Sequence, residues 1–329
     1  MFKSNFFELK EFLDSKVKQY NTTNFIDSDP IRIPHFYSLK EDIEISGFLT
    51  ATISWGNRKS IIKNSTSLME LMEHSPYEFV MHHQPKDLER MNSFVHRTFN
   101  GLDCKQFIMS LKHIYTHHNG LEGVFNKYSE KNSLQLAIHH LKLHFFEIDH
   151  QQRTQKHVSD PLRKSAAKRI NMFLRWMIRP NNTKVDFGLW TQLSPSQLSC
   201  PLDVHSGNVA RKLGLLTRKQ NDAKALSELD TSLRKMDKKL STKILEGKIA
   251  SNIKAGGAIA DLEGNELPYA PKNNLNIGIE STNSKKLSFR IDMRYVSQVF
   301  TDFENITKTA NKGIKGPIPA YQIYNLSSR

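Results

Sequence analysis

The chain has 329 residues and a mass of 37.9 kDa, room for one large domain or two ordinary ones. Mean hydropathy is −0.52, no run of about 18 apolar residues occurs, and Glu8, Glu11 and Asp14 interrupt the N-terminus, which excludes a membrane-spanning helix and an ordinary secretory signal. Lys plus Arg number 47 against 33 acidic residues, a net charge of +14 that suits a polyanion; Cys104 and Cys200 are the only cysteines, too few for a four-cysteine zinc or iron–sulfur site or a disulfide framework, and they point to a reducing, cytoplasmic setting.

From residue 1 to about 243 apolar residues recur at three- and four-residue spacing, the period of amphipathic helices. The pattern runs through Phe6, Leu9, Phe12 and Leu13, then Ile61, Ile62, Leu68, Leu71 and Met72. It returns in Leu134, Leu136, Ile138, Leu141 and Leu143, and in Ile170, Phe173, Leu174 and Met177. Ser133 and Asp160-Pro161 read as helix starts, and Glu41, Asp42 and Glu44 as acidic residues complementing a helix dipole. Asp27 and Asp29 read as turn residues before Pro30.

Beyond about 244, Gly, Asn, Ser and Thr rise and strict alternation appears at Asn274 to Ile279 and at Leu287 to Met293, the signature of strands. Gly256-Gly257, Asn283-Ser284 and Gly313 to Pro319 read as turns, and residues 237–256 as a junction. Two parts follow, a helical domain over 1–243 and a β tail over 244–329. The tail carries eleven basic and eight acidic residues, so most of the positive charge lies in the helical part.

Two segments could carry chemistry. Asp203 stands before an apolar-periodic run, where a carboxylate caps a helix and stays ionised against its dipole; such a cap also holds a carboxylate in place for catalysis. Lys168 opens the Ile170, Phe173, Leu174, Met177 stripe, where burial can lower an amine's pKa enough to make it a nucleophile; a solvated lysine among Arg163, Lys164 and Arg169 is the plainer reading. Histidine pairs at 82–83, 117–118 and 139–140 accompany His113, His144 and His150, with His140, His144 and Glu147 on one helical stretch. No His-Glu-x-x-His arrangement results, so neither metal nor other cofactor is expected.

Lys168, Asn171 and Leu174, with the later Leu202, Asp203, Val204, His205, Val209 and Arg211, resemble the helix-hairpin-helix DNA glycosylase superfamily. The chain resembles more closely a bacterial family known as domain of unknown function 2400, through Ile31 to Phe36, Glu41 to Leu49, Trp55 to Lys59, Phe173 to Met177, Asp186 to Trp190 and Pro201 to Gly214. The resemblance covers about residues 1–236. It implies a mainly α, glycosylase-like domain that flips a damaged base out of duplex DNA. It implies Lys168 as nucleophile at the sugar C1′, with strand cleavage following through a Schiff base, and Asp203 as its carboxylate partner. Arg58, Lys59, Arg169, Arg175, His205 and Arg211 would contact DNA, and Trp55, Trp176 or Trp190 would meet the flipped base, core packing being the alternative for each Trp. The expected partner is damaged duplex DNA, bound by a monomer without a membrane. A DNA-binding protein of the same fold without chemistry is the first alternative.

Three departures accompany the resemblance. Ser165-Ala166-Ala167 stands where the hairpin carries Gly-x-Gly, thirty-five residues separate Lys168 from Asp203, and the cysteines of the relatives' iron–sulfur cluster are missing. The tail, over about 260–329, resembles the late strands of TonB-dependent outer-membrane receptors, through Gly264 to Asn276, Tyr295 to Ser297, Phe300 to Phe303 and Gly316 to Tyr321. A receptor fragment is therefore the second alternative. Such receptors close with about 22 strands, and this tail has room for about four, so a foreign segment joined to the helical domain is the expectation.

Overall fold

The computed structural model describes residues 6–236, 274–282, 288–296, 298–300 and 317–328. The junction expected over 237–256, the turns at 256–257 and 283–284 and residues 313–316 of the turn expected over 313–319 lie outside the described residues, as do residues 264–273, 297, 301–303 and 316 of the receptor-like stretches. The chain divides into two compact units, Met1–Glu246 and Gly247–Arg329.

The first unit is mainly helical: α1 (Phe6–Tyr20), α2 (Lys40–Thr52), α3 (Arg58–Leu71), α4 (Pro76–His82), α5 (Gly101–His117), α6 (Gly120–Lys127), α7 (Gln135–Phe145), α8 (Lys168–Ile178), α9 (Val204–Lys212) and α10 (Ala223–Met236). A two-residue hairpin, β1 (Val95–His96) with β2 (Phe99–Asn100), interrupts the helices; no alternation long enough to announce it exists in the sequence. Helices α2, α5, α7 and α8 surround the core, where Phe48 meets Phe107, Phe145 and Phe173 at ring separations of 5.5–6.2 Å. Burying those aromatic faces is what holds short helices that would be marginal alone.

The starts of the helices differ in detail from expectation. The Ser133 hydroxyl accepts from Gln135 N at 3.1 Å, so it tethers the first turn of α7 from one position before the cap, Leu134. Asp160 caps a single 3-10 turn, Pro161–Arg163, because Lys164 then turns into the left-handed region at φ 70°. Glu44 is a correction: it faces the interior, not the solvent around the start of α2. It is 2% exposed and accepts from Tyr115 Oη at 2.6 Å and Trp190 Nε1 at 2.7 Å, with Lys40 Nζ 3.8 Å away. A buried carboxylate needs such donors.

The second unit contains the two strands expected from alternation. Strand β3 (Asn274–Thr282) pairs antiparallel with β4 (Ser288–Val296), Ile277 opposite Met293, and β4 pairs antiparallel with β7 (Tyr321–Ser328), Met293 opposite Tyr324. A two-residue pair joins β5 (Val299–Phe300) to β6 (Pro317–Ile318).

Candidate functional site

Four charged groups, each at the start of a helix or helical turn, share one electrostatic neighbourhood. Lys168 is the first residue of α8, Asp203 the cap of α9, Arg58 the first residue of α3, and Asp29 the cap of the 3-10 turn Pro30–Arg32. Lys168 Nζ stands 4.0 Å from Asp203 Oδ2, and it feels Asp29 and Arg58 as well. Helix starts carry partial positive charge, so two carboxylates and an anionic ligand are at home here.

The backbone before Lys168 explains its position. Ala167 adopts φ 44°, ψ 40°, the left-handed conformation that glycine takes most easily. An alanine thus carries a left-handed turn conformation at the position directly before α8. Its N–H donates to Ser165 Oγ at 3.1 Å, and Ala223 N donates to Lys164 O at 3.0 Å, tying the turn to the start of α10. Asn171 Nδ2 donates to Ala166 O at 3.0 Å, and Gln135 Nε2 donates to Asn171 Oδ1 at 3.0 Å and Ser199 Oγ at 3.1 Å. Asn171 is therefore a positioning residue for the Lys168 turn.

Asp203 divides its carboxylate between two tasks. Oδ1 accepts the Ser206 N–H at 2.9 Å, closing a capping box in which the Asp203 N–H donates to Ser206 Oγ. That leaves Oδ2 facing the lysine. Asn221 Nδ2 donates to Asp203 O at 2.9 Å, and the absent side chain of Gly207 makes room for it: a Cβ there would lie 2.4 Å from Asn221 Oδ1. Behind the cap, Asp230 of α10 accepts from Cys200 N at 3.2 Å, and burial pushes its carboxyl up to about 6.

Burial lowers the Lys168 ammonium below its ordinary pKa, Asp203 and Asp29 oppose that, and Arg169 and Arg58 reinforce it. The amine is half-buried, 3.8 Å from Met172 Sδ and 4.0 Å from the Asp203 carboxylate. Burial raises Asp29, while its bond from Ile31 N and the charges of Arg58, Arg175 and Lys168 pull it down. Asp29, read from sequence as a turn residue, is the site member that reasoning missed. Its turn role is real, but its nearness to Lys168 is a long-range fact that no local pattern encodes.

The other expected contacts divide. Arg58, Lys59 and His205 are exposed, Trp55 is half-buried, and Val204 beside Asp203 is 64% exposed. Arg169 is corrected: its guanidinium donates to Thr52 O and His157 O and lies 4.8 Å from the Trp55 ring, so it fastens α8 to the end of α2. Arg175 is corrected too, being 6% exposed and bonded to Asp186 at 3.1 Å, with Arg179 on the other oxygen at 3.0 Å. Arg211 clamps the following loop through Arg218 O, Lys219 O and Asn221 Oδ1 at 2.6–2.8 Å. Trp176 and Trp190 are core residues, 1% and 0% exposed, and cannot meet a base without unpacking.

The histidines form a separate cluster. His113 Nε2 and His118 Nε2 approach Glu147 Oε2 at 2.8 and 3.0 Å, and His144 Nδ1 approaches Oε1 at 2.5 Å. The ligand atoms of His113, His118 and Glu147 lie within 4.8 Å of one another.

A family described as "Protein of unknown function (DUF2400)" matches residues 29–241, well over half of the chain. No curated protein and no solved structure matches. The chain belongs to the DUF2400 family.

Proposed function

We propose that this member of the DUF2400 family is a base-excision DNA glycosylase with associated strand cleavage, and that Lys168 and Asp203 are its catalytic pair. The observation that carries the reading is the half-buried Lys168 amine, its pKa lowered, 4.0 Å from a carboxylate oxygen that the α9 cap leaves free. In the proposed reaction the neutral amine attacks C1′ of a flipped nucleotide. The C1′–N bond breaks and the base leaves with the bond's electron pair and a proton. Asp203 takes the proton released by the attacking nitrogen, passes it to the departing base and stabilises positive charge on the sugar. The C1′–O4′ bond then breaks with its electron pair going to O4′, which takes up a proton; the Schiff base so formed loses a C2′ proton and expels the 3′ phosphate. Exposed Arg58 and Lys59 at the start of α3 supply phosphate contacts, in keeping with the +14 charge.

Borohydride trapping on a panel of damaged duplex oligonucleotides, with base release measured in parallel, tests the reading. A covalent adduct is expected from the intact protein and none from Lys168→Ala. Asp203→Asn is expected to slow trapping by roughly 100-fold or more. The rate should rise with pH and level off below the ordinary lysine value, because burial lowers the amine's pKa. An adduct that persists in Lys168→Ala, or neither adduct nor base release on any duplex, overturns the proposal. Tight duplex binding without either would favour a DNA-binding protein without chemistry.

A further inference from the structure

The last turn of α5 brings His113 to the surface, and the chain must then reverse to enter α6. Asn119 at φ 57° and Gly120 at φ 75° make that reversal. A Cβ at Gly120 would stand 2.9 Å from the Tyr115 ring, and one at Gly123 would stand 2.3 Å from His118 O, so the two glycines allow α6 to close tightly on the end of α5. The reversal leaves His118 5.2 Å from His113 between ring centres. The His117 ring is tilted 46° against His113 at 4.8 Å but is exposed and outside the group. From the other side, α7 ends at Phe145, and the following turn directs Glu147 at the same two rings.

Two imidazole nitrogens thus share one carboxylate oxygen, while a third imidazole holds the other. His144 is itself oriented: its Nε2 meets Tyr128 Oη at 3.0 Å, and Tyr128 is stacked on His140 at 3.7 Å. This is how outer partners orient a ligand shell. Donors 2.0–2.1 Å from a tetrahedral zinc stand about 3.3 Å apart, so the 2.8 and 3.0 Å contacts would open by a few tenths of an ångström while the two imidazole nitrogens, within 4.8 Å of each other, would draw together. The end of α5 adds the negative pole of a helix.

We infer that His113 Nε2, His118 Nε2 and the Glu147 carboxylate form a divalent transition-metal site suited to zinc, with water in the fourth position and His144 as a positioning residue. Nitrogen and carboxylate donors in this number match zinc better than calcium or magnesium, which prefer oxygen. The ion would clamp the C-terminal ends of α5 and α7. No local pattern in the sequence announces this group, because its two histidines are five residues apart across a helix end rather than four along a helix, and its carboxylate comes from a distant turn.

The test is calorimetric titration of the chelator-treated, full-length protein with zinc chloride, repeated with cobalt chloride while following the visible bands of tetrahedral cobalt. One equivalent per chain and a raised melting temperature are expected. His118→Ala and Glu147→Gln should weaken binding on the order of 100-fold or more, His144→Gln by roughly 10- to 100-fold, and His117→Ala and His82→Ala not at all. The intact protein decides even if a variant fails to fold: no one-equivalent event overturns the site. Binding that survives both His118→Ala and Glu147→Gln overturns it as well, by placing the ion on other histidines.

Discussion

Ala167 carries a backbone conformation that costs an L-residue roughly 1–2 kcal/mol, and its methyl, 1% exposed, returns about 0.8 kcal/mol by burial. Glycine would relieve the strain but lose the methyl and some backbone entropy. Ala167→Gly is therefore expected to change stability by less than about 1 kcal/mol, whereas β-branched Ala167→Val should cost about 2 kcal/mol or more, as chemical denaturation would measure. His157 is expected to make stability depend on acid pH. Burial holds it down to about 4, so between pH 6.5 and about 4 the unfolded chain takes up a proton that the folded chain refuses. Stability should fall as pH drops through that window, by roughly 3 kcal/mol at most, and His157→Phe should flatten the slope while keeping the ring contacts to Phe99 and Trp55. An unchanged slope in that variant would assign the acid sensitivity elsewhere. At this scale the sequence was partly readable. Asp203 as a cap and Lys168 at a helix start follow from local pattern, and Trp176 could have been placed in the core, since it stands three residues after Phe173 on the apolar side of α8. Asp29 and Glu44 could not, because their partners lie 139 and 146 residues away.

Among the elements, α9 does most to shape the candidate site, and Gly207 is its sensitive point. Asn221 reaches over that glycine to hold the Asp203 carbonyl, and Arg211 grips the same Asn221. Gly207→Ala would drive a methyl to 2.4 Å from Asn221 Oδ1, so the loop must shift. The expected outcome is a folded protein, with its helical circular dichroism intact, that traps DNA at least about 10-fold more slowly, since small misplacements at a reacting centre cost that much or more. Wild-type trapping by this variant would show that the Asn221 contact does not position Asp203. Helix α8 is held at both ends by backbone acceptors: Arg169 donates to Thr52 O at its start, and Phe187 and Trp190 donate to Trp176 O and Met177 O at its finish. The four apolar positions of its stripe announced the helix; the partners that close its ends come from distant segments and were not legible.

For the whole molecule, the division at Glu246 leads to a simple expectation: a chain ending there should keep the helical spectrum and melting midpoint of the intact protein. A lowered midpoint would mean that the β-strand unit stabilises the helical one, against the reading of a foreign tail. Mainly helical character, strands over 274–279 and 287–293 and the excess of positive charge were determined by the sequence itself. They follow from periodicity and composition, which act over a few residues or over the chain as an average. The tertiary structure alone decided which charges meet. It brought Asp29 near Lys168, turned Arg175 inward to Asp186, and gathered His113, His118 and Glu147 at two helix ends. The physical reason is that Coulomb and hydrogen-bond energies depend on separations of a few ångströms, and helix packing sets those separations between residues far apart in the chain.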